Sequence, residues 1–248
     1  VEAIMAASGD RRTRDFQISR VFERAFGVFQ DHWGVITFLT VALVGLPFGL
    51  LGQLRATETG WPTTIALLLF LVLAVLAKTA AIQISLVAAH GRSVTLDGTM
   101  SRAIRALPGM LLISLVTLLG CALGFVLLII PGIFAATVWA LAGPAKLEER
   151  WGVIDTLQRS YDLVSGARWR VFAVLLILWG SNILSFLATR IALITLKSSD
   201  AFAARTWLLD PLCQMIATVL GALVCASMYH ELAWGPSGPE ETTAEIFD

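Results

Sequence analysis

Five charge-free apolar runs, 34–54, 59–77, 106–145, 171–189 and 211–229, alternate with polar stretches along the chain. A bilayer core of about 30 Å needs about 20 helical residues, so four of these runs read as single transmembrane helices. The 106–145 run covers 40 residues, about 60 Å as one helix, and must turn back on itself. Pro131-Gly132 is the expected turn, because Pro cannot continue the hydrogen-bond ladder and Gly tolerates a reversed backbone. Two spans follow, about 108–130 and 133–148, the second short and open to kinking at Pro144.

Ahead of the first span, residues 16–33 place Ile18, Val21, Phe22, Ala25, Phe26, Phe29 and Trp33 at helical spacing, opposite Arg20, Glu23, Arg24 and Gln30. That pattern predicts an amphipathic helix lying in the headgroup layer. A five-residue signature recurs before later spans: Phe22-Glu23-Arg24-Ala25-Phe26, Met100-Ser101-Arg102-Ala103-Ile104 and Leu157-Gln158-Arg159-Ser160-Tyr161. Its recurrence predicts three related units of surface helix plus two spans, 16–90, 95–149 and 153–234. The expected fold is an all-α, six-span bundle with cytoplasmic interfacial helices over 16–234. A polar segment, 1–15, precedes it and a disordered acidic tail, 235–248, follows.

Thirteen of the 18 Lys and Arg residues fall in the N-terminal segment, 90–105 and 146–170, and only Arg55, Arg190, Lys197 and Arg205 lie in the opposite loops. The positive-inside rule then puts both termini in the cytoplasm of a multi-pass bacterial inner-membrane protein. Trp33, Trp61, Trp151, Trp169, Trp207 and Trp234 flank spans, where indole rings prefer to sit, while Trp139 and Trp179 lie deep. The first fifteen residues carry Arg11, Arg12 and Arg14 but no apolar stretch with a cleavage site, so no signal peptide is expected.

Composition agrees: 57% hydrophobic, 15% charged, mean hydropathy +0.78, against about 25% charged in soluble domains. A formal net charge of zero offers no basic field for nucleic acid. Cys121, Cys213 and Cys225 are odd in number and lack metal-ligand spacing, so neither a disulfide framework nor a zinc site is expected.

Lys78, Gln83 and Asn182 are the polar candidates inside the membrane. An intramembrane cation points to function, whereas a Lys near a helix end also snorkels to the headgroups. Asn182 reads either as a substrate contact or as an amide bonded to a neighbouring helix. Gly45 and Gly49, Gly120 and Gly124, and Ala217 and Gly221 form small-xxx-small pairs that let helices pack closely. Arg20, Arg24, Arg102, Arg105, Arg159, Arg168 and Arg170 are candidate contacts for lipid headgroups or a partner. In the loop 144–170, Arg159 is spaced to pair with Asp155 or Asp162 on its own helix. His32, His90 and His230 share no ligand spacing, and no cofactor or metal is expected. No nucleophile elbow or phosphate-cradling loop is present, so an enzyme is not expected; Glu148, Glu149 or Asp162 would be the acid or base of one acting on lipid phosphodiesters.

Over 125–172 the chain carries LLIIPGI, Trp139, Pro144-Ala145, Glu149, Gly152-Val153, LQRSY, Leu163, Gly166 and Arg168-Trp169-Arg170. In order and spacing these resemble the glycerophosphoryl diester phosphodiesterase membrane domain family and related six-span bacterial inner-membrane proteins, and Gly91-Arg92 and residues 102–107 also fit. Some members join this domain to a soluble phosphodiesterase barrel. His90-Gly91-Arg92 is not that barrel's His-Arg-Gly motif, and with about 14 residues after the last span no barrel is expected. The resemblance therefore implies a membrane module without hydrolase residues. The function expected is a non-catalytic scaffold or accessory subunit, with membrane lipids and a larger integral membrane complex as partners. A transporter lined by Lys78, Gln83 and Asn182 is the alternative.

Overall fold

A computed structural model describes residues 16–57, 60–91, 94–149, 152–195 and 209–234. The expectations for 1–15, Arg92, Trp151, Lys197, Arg205, Trp207 and 235–248 lie outside the described residues. Among the described residues the chain is all helical. The helices are α1 (Ile18–Thr40), α2 (Leu46–Thr57), α3 (Trp61–Ala89), α4 (Leu96–Leu127), α5 (Ile129–Val138), α6 (Ala142–Glu149), α7 (Val153–Ser165), α8 (Arg168–Thr195) and α9 (Asp210–Trp234), with a π-helical turn, Val41–Gly45, linking α1 to α2.

Five stretches are long and apolar enough to cross a membrane: Ile18–Gly52, Trp61–Ala89, Leu96–Leu127, Ile129–Glu149 and Asp210–Trp234. The bent pair α7–α8 makes a sixth only if it is counted as one broken span. This is the architecture of a multi-pass membrane protein.

At 35 residues, about 52 Å of helix, Ile18–Gly52 is too long for one crossing. His32 leaves helical geometry at φ −126°, ψ 21°, and the break falls where the amphipathic pattern of 16–33 gives way to the first apolar run. The second stretch that carries the repeated signature differs, since Leu96 to Leu127 is one unbroken helix through Pro108. In the third, α7 meets α8 at 104° across Gly166-Ala167. α7 is the most amphipathic of the three segments: it buries Thr156, Ser160, Leu163 and Val164 and exposes Ile154, Asp155, Tyr161 and Asp162.

The turn in the long apolar run comes earlier than Pro131-Gly132. Leu128, extended at φ −166°, ψ 155°, reverses the chain, and its N–H donates to the Gly124 carbonyl at 3.0 Å. Pro131 occupies the first turn of α5, where a helix has no use for the missing N–H and the fixed φ suits it. Gly132 serves close approach instead: a Cβ there would meet the Phe125 ring, and one on Gly124 would lie 2.8 Å from Gly132 Cα. Pro144 likewise sits in the first turn of α6, and the interruption falls before it, at residues 139–141.

Packing is uneven along the bundle. The beginning of α1, the ends of α3, α6 and α9, and the starts of α4 and α8 meet at one end, called here the polar end. The core lies close to it, with Val21, Ala25, Ile82, Ile84, Ala103, Val164, Val171, Met228 and Tyr229 all buried. Away from it, Ile65, Leu68, Leu69, Leu123, Val126, Ile129 and Ile130 are exposed. Only 17% of the most apolar stretch of α4 is buried, against 39–50% in the other four single spans, which puts α4 on the outside. Such a surface would aggregate in water but costs nothing against lipid tails, which are as apolar as leucine. Trp33, Trp61 and Trp169 are exposed, while the Trp139 ring packs on Gly120.

Candidate functional site at the polar end

Three consecutive residues near the end of α9 organise the polar end, because successive helical residues point about 100° apart and so reach different neighbours. Tyr229 donates its hydroxyl to Glu149 Oε1 of α6 at 2.9 Å, and Arg159 Nε of α7 donates to the same oxygen at 2.9 Å. His230 Nδ1 accepts from Arg24 Nη1 of α1 at 2.6 Å. Glu231, 2% exposed, faces Arg20 Nε at 3.3 Å and Arg24 Nη1 at 3.5 Å. Arg20 and Arg24, four residues apart, present both guanidiniums on one face of α1. Arg170 of α8 donates to the Phe16 carbonyl at 3.0 Å, and Ser160 Oγ of α7 donates to Val138 O of α5 at 2.7 Å. A buried carboxylate is tolerated when its charge is paired, and this one holds the N-terminal helix against the last.

Beside this network lies a cavity of about 770 Å³ between the end of α3, residues 102–109 of α4 and the end of α6. Gln83 and His90 line it from α3, Arg102, Arg105 and Gly109 from α4, and Lys146 and Glu148 from α6. Leu86, Val87, Ala106 and Leu147 complete the wall. His90 Nδ1 donates to the Leu86 carbonyl at 2.7 Å, and its Nε2 lies 3.4 Å from Glu148. Arg105 is braced by Ser101, donating to its carbonyl at 3.2 Å and its hydroxyl at 3.0 Å. Neither Arg102 nor Arg105 meets a carboxylate among the described residues. Gln83 is nine-tenths buried, with Oε1 lacking a hydrogen-bond partner. A Cβ on Gly109 would sit 3.1 Å from Lys146 Cε, so the missing side chain gives the lysine stem room against α4.

The arginines singled out from the sequence thus divide. Arg20, Arg24, Arg159 and Arg170 bind other parts of the chain. Arg168 donates to Tyr161 Oη at 2.9 Å and stacks on the Tyr161 and Phe134 rings. Arg159 pairs with Glu149 of the preceding helix rather than with Asp155 or Asp162, which border with it a shallower hollow of about 490 Å³. Only Arg102 and Arg105 line the larger cavity. Of the intramembrane candidates, Gln83 is there, but Lys78 and Asn182 are exposed and absent from its lining. Asn182 Nδ2 donates to Leu178 O, on its own helix rather than a neighbour, at 2.8 Å. Lys78→Leu and Asn182→Leu are accordingly expected to shift unfolding in detergent by no more than about 0.5 kcal/mol.

Among the small residues, Gly45 approaches Met215 of α9, Gly120 approaches Trp139 just past α5 and Gly124 approaches α5, while none of the described residues lies within 4 Å of a Cβ on Gly221. Gly49 is buried; Ala217 is half-buried. No group of three metal-ligating side chains gathers among the described residues, and the cysteines are free. Glu231 and Lys146 were not singled out by sequence. The signal for Glu231 was a lone carboxylate one helical turn from the end of an apolar span, facing no charge of its own helix.

No family model, curated protein or solved structure matches the chain. The resemblance over 125–172 rests on the residues quoted for it alone.

Proposed function

We propose that this chain is a non-catalytic accessory or scaffold protein of a bacterial inner membrane that holds lipid at its polar end, with both termini in the cytoplasm. On this reading α7 and the part of α1 before His32 lie in the headgroup layer, and the bundle is built from three related units. The observation that carries it is the basic cavity, opening where an apolar, loosely packed bundle gives way to its charged end. Clustered basic side chains at that depth meet anionic headgroups, each worth about 1 kcal/mol near a charged leaflet. The 104° bend at α7 supports an interfacial helix, since a segment nearly perpendicular to a spanning helix runs along the surface. Glu149 is engaged by Tyr229 and Arg159, which favours a structural role for it over an acid-base one.

The transporter alternative needed Lys78 and Asn182 to share a polar space with Gln83, and their exposed positions do not favour it. Extraction into native nanodiscs, followed by mass analysis of retained lipid and protein, is expected to yield a defined complex. A bare monomer would refute the reading. Single cysteines at Arg24 and Arg159 are expected to label from the same, cytoplasmic, side.

A further inference from the structure

We infer that the cavity between α3, α4 and α6 is a binding site for a phosphate ester, the headgroup of an anionic phospholipid, held by Arg102, Arg105 and Lys146. This rests on the lipid-holding reading above and assigns it a place and a chemistry.

Among the described residues five ionisable side chains line the cavity: His90, Arg102, Arg105, Lys146 and Glu148. Three permanent cations stand there against one carboxylate, Glu148, 3.4 Å from His90, so among the described residues the wall is net positive. Arg102 and Arg105 stand three residues apart on α4 and therefore share a face. Planar guanidinium forks match phosphate oxygens in pairs, which a lysine cannot do. Arg105 uses two of its five N–H groups on Ser101, which fixes its plane and leaves three for a ligand. From the facing helix, Lys146 runs over Gly109, so the charges come from two elements and not from one solvated helix face. Deeper in, Gln83 is nine-tenths buried with a carbonyl oxygen that has no donor among the described residues, an acceptor for a headgroup hydroxyl rather than for the phosphate. A volume of about 770 Å³ lies in the range of sites for whole organic ligands, about 300–1,000 Å³, far more than a bare oxyanion fills. Leu86, Val87, Ala106 and Leu147 offer the apolar wall that an amphiphile needs and inorganic phosphate does not.

The test uses the full chain in detergent micelles, with phosphatidylglycerol or phosphatidylcholine titrated in and bound lipid read by native mass spectrometry. Phosphatidylglycerol is expected to bind at least tenfold tighter than phosphatidylcholine. Arg102→Gln with Arg105→Gln is expected to abolish that preference while the unfolding midpoint stays put, since neither side chain pairs with a carboxylate among the described residues. Arg102→Lys with Arg105→Lys separates a built site from general attraction. Loss of at least half the preference supports the fork geometry; full retention overturns it in favour of surface charge. Competition by millimolar glycerol phosphate or inorganic phosphate would assign the same residues to a free phosphate compound. Equal binding of both lipids, or an unaltered preference in the glutamine variant, would overturn the site. The accessory-protein reading would survive that result if native nanodiscs still retained lipid or a partner, and would fall with it if they retained neither.

Discussion

Replacing both arginines of the N-terminal helix, Arg20→Met with Arg24→Met, will destabilise the protein by about 3–5 kcal/mol, because it strands a carboxylate that is 2% exposed. The reverse change, Glu231→Met, will cost far less, about 1 kcal/mol. Both side chains are 28% exposed and can turn to water, where a guanidinium is well solvated. The asymmetry is the informative quantity. A chain carrying all three substitutions should recover most of what the double arginine variant loses, since no buried charge is then left alone. Unfolding by SDS in mixed micelles reads all three variants on one scale. If the arginine pair can be removed at no cost, the α1–α9 contact is not what holds the N-terminal helix in place.

The small residues will respond in a graded order that sequence spacing does not predict. Gly124→Ala will be the worst, about 1–3 kcal/mol, because the new methyl meets Gly132 Cα at 2.8 Å and Gly132 N at 2.9 Å, both backbone atoms that cannot turn aside. Gly120→Ala meets the flat Trp139 ring and will follow closely. Gly45→Ala meets the Met215 thioether, whose flexible chain can move away, so its cost will be smaller. Gly221→Ala meets none of the described residues and should be neutral, or stabilising through the better helix propensity of alanine. The same micelle titration ranks the series, and a Gly124→Ala protein as stable as the parent would contradict the tight α4–α5 hairpin.

Much of this fold is legible from residue order, and the places where it is not share a cause. The apolar runs give the spanning helices, since a 20-residue stretch without charge has few alternatives once hydrocarbon is the solvent. The end of the amphipathic pattern near Trp33 coincides with the backbone break at His32. Pro131 misled because proline is compatible both with a turn and with the first turn of a helix, and only the close approach of Gly124 to Gly132 selects the second. Arg159 misled for a similar reason. Asp155 and Asp162 lie at the right helical offsets, but Tyr229 already holds Glu149 beside it, and the pair forms there. Lys78, Gln83 and Asn182 looked alike as polar residues in apolar runs, yet facing direction separates them. Gln83 turns inward to the cavity and the other two stand outside.

What residue order determined by itself is the solvent and the long helices, because both follow from the length and charge of contiguous segments. Which charges meet was decided only by tertiary structure. Arg24 and Glu231 lie 207 positions apart, and Arg102, Lys146 and Gln83 come from three helices. Pairing energy depends on distance and burial in space, and neither quantity is carried by any local stretch of the chain.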